Sequence, residues 1–164
     1  IVFSAAMMLV DAKQLDRAFG LSRDLAGQLE PEPRVCAKLV EGQIAISKNE
    51  PHLAVGLLNE AQELIDCWMG RYLLGRAYLA AEAYAEAYSE FETCIKRRGE
   101  ATSLHLDDVP SYHLFPEVYY YLGLAQEGLG SPAVQKSFRA FLELKDGGDH
   151  DPMVMAARSR VSGE

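Results

Sequence analysis

The sequence predicts an all-α chain, a right-handed superhelical array of about four helical hairpins closed by a C-terminal capping helix. Three observations carry that expectation. Apolar residues recur at helical spacing through each segment between breakers. Pairs of small residues twelve apart return along the chain. The composition, 49% hydrophobic and 24% charged over 164 residues, suits a soluble domain that buries its own core without cross-links.

The segment LLGRAYLAAEAYAEAYSEF, Leu73 to Phe91, displays the pattern. Leu74, Gly75 and Tyr78 share one helical face, Ala87 and Phe91 share another, and Ala80-Ala81-Glu82-Ala83 between them reads as the turn of a hairpin. Small residues let two helices approach closely, and the rings fill the space beside those contacts. A single hairpin cannot bury its faces alone, so the unit has to recur. Gly42 precedes Ala54 by twelve residues as Gly75 precedes Ala87, and Ala6 precedes Ala18 likewise. Leu58 and Ala61, then Ser22 and Leu25, fall in the slots of Phe91 and Cys94. Leu122-Gly123 repeats Leu74-Gly75, and Phe138 and Phe141 take the same slots after the loss of one residue. The first-helix anchors stand at 6, 42, 75 and 123, steps of 36, 33 and 48, so the last step contains an insertion of some 14 residues.

Breakers then place the elements in order. Helices are expected at about 2 to 12, 14 to 28, 33 to 48, 51 to 64, 68 to 81, 84 to 98, 116 to 129, 132 to 145 and 152 to 161. Pro31-Glu32-Pro33 separates the first two units, while Pro51 and Pro132 suit first-turn positions, where a missing amide costs nothing. One domain, 1–164, divides into repeats at about 1–30, 33–66, 67–100 and 114–147, with an insertion at 101–115 and a cap at 152–161. The absence of an initiator Met reads as a fragment of a longer protein.

This period and pattern resemble the tetratricopeptide repeat, a helical hairpin of about 34 residues with small residues at these places. The resemblance is strongest in Trp68 to Glu100 and Tyr119 to Leu144; Asp66 and Gly99 stand where that family often carries a closing Pro. The runs CAKLVEGQIAI and KRRGEATSLHLDDVPSYHLFPEVYYYLGLAQEGLGSP also look like the tetratricopeptide tail of some bacterial proteins with serine/threonine kinase or regulatory domains. That resemblance implies a cytoplasmic recruitment or regulatory module. The chain carries neither the Gly-rich phosphate loop nor the His-Arg-Asp and Asp-Phe-Gly elements of a kinase, so the expectation is a non-enzyme that needs no cofactor.

Charge and motifs narrow the function classes. A net charge of -8 disfavours nucleic acid, and the basic run Lys96-Arg97-Arg98 sits at a helix C-terminus, where cations suit the macrodipole. Cys36, Cys67 and Cys94 lack any Cys-x-x-Cys pairing and read as reduced thiols. The opening IVFSAAMMLV is too short to span a bilayer. Gly128-Leu129-Gly130-Ser131-Pro132-Ala133 matches a dinucleotide fingerprint on paper, but it follows a helix where that motif requires a strand, so it reads as a turn. Asp146, Asp149, His150 and Asp151 could gather a hard cation; they lack calcium-loop spacing, and the run reads as a linker with Asp151 capping the next helix. His52, His105 and His113 have no catalytic partner at a recognisable spacing, and Glu60, Glu63, Glu86 and Glu90 read as solvated outer-face acids. The insertion holds Leu104, Leu106, Tyr112, Leu114 and Phe115 beside Asp107 and Asp108, which leaves two accounts open: an extension packed on its own hairpin, or a loop over the concave face.

In stacked hairpins the first helices line the inside of the curve. The repeat phase projects Leu39, Gln43 and Ile46 inward from the second unit, Met69, Tyr72, Arg76 and Leu79 from the third, and Tyr120, Leu124 and Glu127 from the fourth. The family's clamps for a terminal carboxylate use Lys, Asn and Arg here, and Leu39 and Gln43 do not match. The expected partner is a protein or peptide that lays apolar anchors on these side chains, with Arg76 orienting an acidic group. A second reading makes the array a homodimerisation element through Met7, Met8 and Val10. A third places a small ligand or an enzymatic site between insertion and groove.

Overall fold

A computed structural model describes residues 2–102, 111–145 and 150–162. Among them the chain is entirely helical, with no strand. The helices are α1 (Val2–Asp11), α2 (Leu15–Ala26), α3 (Pro31–Ser47), α4 (Pro51–Leu64), α5 (Trp68–Ala80), α6 (Tyr84–Lys96), α7 (Phe115–Gly128), α8 (Val134–Leu144) and α9 (Pro152–Ser162). Two 3-10 turns, Arg98–Thr102 and Tyr112–Leu114, flank the insertion. The expected Leu104, His105, Leu106, Asp107, Asp108, Asp146 and Asp149 lie outside the described residues.

Each helix packs on its successor, and α1 also packs on α3, α3 on α5 and α5 on α7. Contacts between successive first helices make this a stacked array, in which neighbours in sequence are neighbours in space.

The repeat is written most clearly in the turns. Lys13, Asn49, Glu82 and Gly130 all adopt positive φ, between 58 and 63°. Each stands seven residues after its small anchor at 6, 42, 75 or 123. The hydrogen bonds coincide as well. Gln14, Glu50, Ala83 and Ser131 donate their amides to the carbonyls of Leu9, Ala45, Tyr78 and Gln126 at 2.8 to 2.9 Å. The preceding amides bond to Val10, Ile46, Leu79 and Glu127. That six-to-one and five-to-two pairing is the Schellman motif, which reverses the chain while satisfying the last carbonyls of a helix.

Inside each hairpin the notch meets the expected bulk. A Cβ on Gly42 would lie 2.6 Å from Leu58 Cδ2, and one on Gly123 would lie 2.9 Å from Phe138 Cε1. Ala6, Ala18, Ala54 and Ala87 are all fully buried.

Two boundaries differ from expectation. Pro31 and Pro33, read as a separator, both fall inside the first turn of α3, because amides there have no intrahelical acceptor to lose. Pro132 lies in the turn before α8 instead of opening it, where the Ala133 amide bonds to Ser131 Oγ at 3.3 Å. Pro51 opens α4 as expected. At the far end, Val154 and Ala157 of α9 bury themselves against Phe138 and Phe141 of α8. Asp151 caps α9, its Oδ1 accepting from the amide of Met153 at 2.8 Å. The cation run is committed to structure: Arg97 forms ion pairs with Asp66 and Glu100. Glu90, expected in solvent, is largely covered and pairs with Arg71 at 3.0 Å, since α6 leans against the start of α5.

Both ends of the insertion are fixed. Ser111 Oγ donates to the carbonyl of Ala101 at 2.7 Å, and both residues are buried. Phe115 packs beside Trp68 with ring centroids 6.5 Å apart. The described ends therefore clasp each other and pack against α5, α6 and α7.

Candidate binding groove

Three first helices converge on one small cavity of about 210 Å³. From α5 come Met69, Tyr72, Leu73 and Arg76, which lie on one face at i, i+3, i+4 and i+7. From α3 comes Gln43; from α1 come Phe3, Ser4, Met7, Met8 and Asp11. Ser111, His113 and Leu114, just before α7, complete the wall among the described residues. Met8 and His113 are exposed and mark the open side. A larger hollow of about 650 Å³ lies against α1 and α2 alone, lined by residues such as Arg17, Arg23 and Asp24. Drawn from one hairpin, it is surface relief and no convergence of elements.

Arg76 is the cation of this cavity among the described residues. Its guanidinium carbon lies 5.6 Å from the Tyr72 ring centroid and 5.3 Å from that of Tyr121, so α5 and α7 hold it between two aromatic faces. Its Nη1 donates to Gln43 Oε1 at 3.3 Å, and among the described residues it forms no ion pair. Burial disfavours its charge, yet the oxygens of Tyr72 and Tyr121 and the carboxylates of Glu117 and Asp11 hold its pKa above the usual value. Arg76 is therefore charged at any physiological pH. Tyr72 donates its hydroxyl to Glu117 Oε2 at 2.7 Å, and burial first, then that carboxylate among other charges, pushes its pKa well up. Ser4 Oγ, on the α1 wall, is sealed from solvent and has no hydrogen-bond partner among the described residues.

The expected lining divides. Arg76 and Leu79 are half-buried, as are Tyr120 and Leu124, and all four keep some surface. Leu39 and Tyr72 are 0% and 1% exposed, and of the two only Tyr72 touches the cavity wall. Stacking covers Tyr72, whose ring meets Tyr121 of α7 at 6.0 Å between centroids. Gln43 and Met69, each 7% exposed, show only an edge to the cavity. Tyr120 turns toward its own hairpin, 5.3 Å from Phe141. Leu124 packs with that same cluster, and Glu127 is taken by Arg160 of α9 at 3.1 Å. Those three belong to the cap end and not to the cavity. Val10, assigned to a self-association seam, is core.

The α1 wall was missed, although the signal was present. Phe3 and Met7 stand at the same offsets from Ala6 as Leu39 and Gln43 from Gly42. No protein-family model, no curated protein and no solved structure matches the chain. Among the described residues no cluster of three or more His, Cys, Asp or Glu stands ready to hold a metal, and no helix is long and apolar enough to cross a membrane.

Proposed function

We propose that this chain is a tetratricopeptide-like superhelical scaffold that captures a peptide or helix of another protein on the inner face of its first helices. The observation that carries this reading is the convergence of α1, α3 and α5 on a partly open apolar cavity with one charged guanidinium at its wall. Apolar anchors beside a fixed cation give a short segment both affinity and orientation. The proposed partner-binding set is Arg76 with the exposed edges of Met69 and Gln43 in the cavity, and Leu79 beyond it, three residues after Arg76 on the same helix. In a larger bacterial protein such a module recruits or regulates from the cytoplasm, with no catalysis of its own.

Peptides selected against the protein from a random library test this. Arg76→Ala combined with Leu79→Ser should weaken them at least about tenfold with helicity unchanged, since each interface anchor carries about 1–2 kcal/mol. Unchanged affinity would refute the groove. Exposed Val2, Met8 and Phe19 on the first hairpin favour self-association as a second reading. Sedimentation at several concentrations separates the two, because that reading requires a dimer without any partner.

A further inference from the structure

Arg76 and Asp11 line the same small cavity, yet they do not approach within the 4.0 Å of an ion pair. In an otherwise largely apolar space, opposite charges held apart attract whatever bridges them. Of the other polar side chains on the described wall, Ser111 Oγ is spent on the Ala101 carbonyl, His113 stands at the open side, and Gln43 bonds to the cation. Gln43 spends its Oε1 on Arg76 and keeps its amide donors, while Ser4 Oγ has no partner among the described residues. The apolar part of the described wall is Met7, Met8, Met69, Leu73 and Leu114 with the rings of Phe3 and Tyr72. Methionine side chains adapt to several apolar shapes. The volume of about 210 Å³ is below the range of about 300–1,000 Å³ that holds drug-sized ligands.

We propose that this cavity binds a free α-amino acid with an apolar side chain. Its carboxylate meets the guanidinium of Arg76 and the amide of Gln43, its ammonium meets the carboxylate of Asp11, and its side chain lies among the methionines and leucines. A cation and an anion lining one cavity complement a zwitterion, whereas a simple carboxylic acid leaves Asp11 unanswered and an amine leaves Arg76 unanswered. The inference goes beyond peptide capture and does not depend on it: amino-acid binding is measurable on the protein alone.

Titration calorimetry of the intact chain at neutral pH with leucine, methionine and phenylalanine is the test, with N-acetyl-leucine and leucinamide as analogues that lack one charge. The expected result is saturable binding of at least one free amino acid and a loss of about 10- to 100-fold for each analogue, the scale of a charge-assisted hydrogen bond. Arg76→Gln and Asp11→Asn should each weaken the zwitterion by a similar factor. Asp11 is exposed, so its variant folds whatever becomes of the Arg76 variant. N-acetyl-leucine binding as tightly as leucine, or Asp11→Asn leaving leucine affinity unchanged, overturns the assignment in favour of a mere anion site. Silence with all three amino acids at millimolar concentration overturns it outright, and capped peptides that still bind would then leave the peptide groove standing.

Discussion

Gly75 and Phe91 touch across the third hairpin so closely that a Cβ on Gly75 would lie 2.7 Å from Phe91 Cε1. Phe91 is fully buried and stacked 5.9 Å from Tyr121 of the next hairpin, so it has no room to retreat. This one contact couples the spacing of two helices to the docking of a third.

Gly75→Ala therefore sets two effects against each other. Helix propensity favours alanine by about 1 kcal/mol, and overpacking a closed core costs about 1–3 kcal/mol. With Phe91 pinned, overpacking wins. The expected outcome is a net loss of up to about 2 kcal/mol, a fall in Tm of up to roughly 4–8 °C for a chain of this size. Gly56→Ala is the control, because nothing lies within 4 Å of its added Cβ; it should raise stability by about 0.5–1 kcal/mol.

Three of the four hairpin turns place a side chain where glycine is at ease. Glu82 sits at φ 58°, and the left-handed conformation costs an L-residue about 1–2 kcal/mol. Glu82→Gly should stabilise the chain by about 0.5–1 kcal/mol once glycine's extra unfolded-state entropy is deducted, and Glu82→Val should destabilise it by more than that. Chemical denaturation of the two variants reads the difference directly.

Ser111→Ala tests the clasp of the insertion. Losing the 2.7 Å bond leaves the Ala101 carbonyl buried without it, at a cost of about 1–3 kcal/mol. The Leu114 amide, which bonds to the Ser111 carbonyl, should then exchange its hydrogen faster, while amides of α3 and α4 follow only the global change.

Asp66 links α4, α5 and α6 through Arg71 at 2.6 Å and Arg97 at 2.7 Å. The hydrogen bond from Arg71, followed by that from Arg97, outweighs burial and holds its carboxyl below the ordinary 3.8. A depressed folded pKa means that the unfolded chain takes up the proton first. The contribution is therefore complete well above pH 3.8 and disappears as pH falls through that value toward the lower folded one. Acid unfolding of Asp66→Asn should show a shallower slope in that window. The gap should narrow in high salt, because the side chain is 47% exposed and screened.

The notches, the caps and the hairpin turns were legible because each rests on local spacing: Gly75 to Ala87, Pro51 opening α4, Asp151 capping α9. The groove was legible only in part. Arg76 and Tyr72 share a helical face and both border the cavity, but Arg76 keeps some surface while Tyr72 is 1% exposed beneath Tyr121 of α7. Helical phase gives a direction and no depth, so it cannot say which inward residue the next hairpin will cover. Glu127 illustrates the same limit at the other end: its partner Arg160 is 33 residues away, on a cap whose docking no local pattern specifies. Ser111 joined the site through a clasp across the insertion, again a contact between distant residues.

The most direct measurement of partner capture is backbone amide mapping, by exchange or chemical shift, with a library-selected peptide bound to the intact chain. The expected result is protection or shifts concentrated in α1, α3 and α5 around Met7, Gln43 and Arg76, abolished by Arg76→Ala. Perturbation confined to the second helices α2, α4 and α6, or a map unchanged by that substitution, would contradict it.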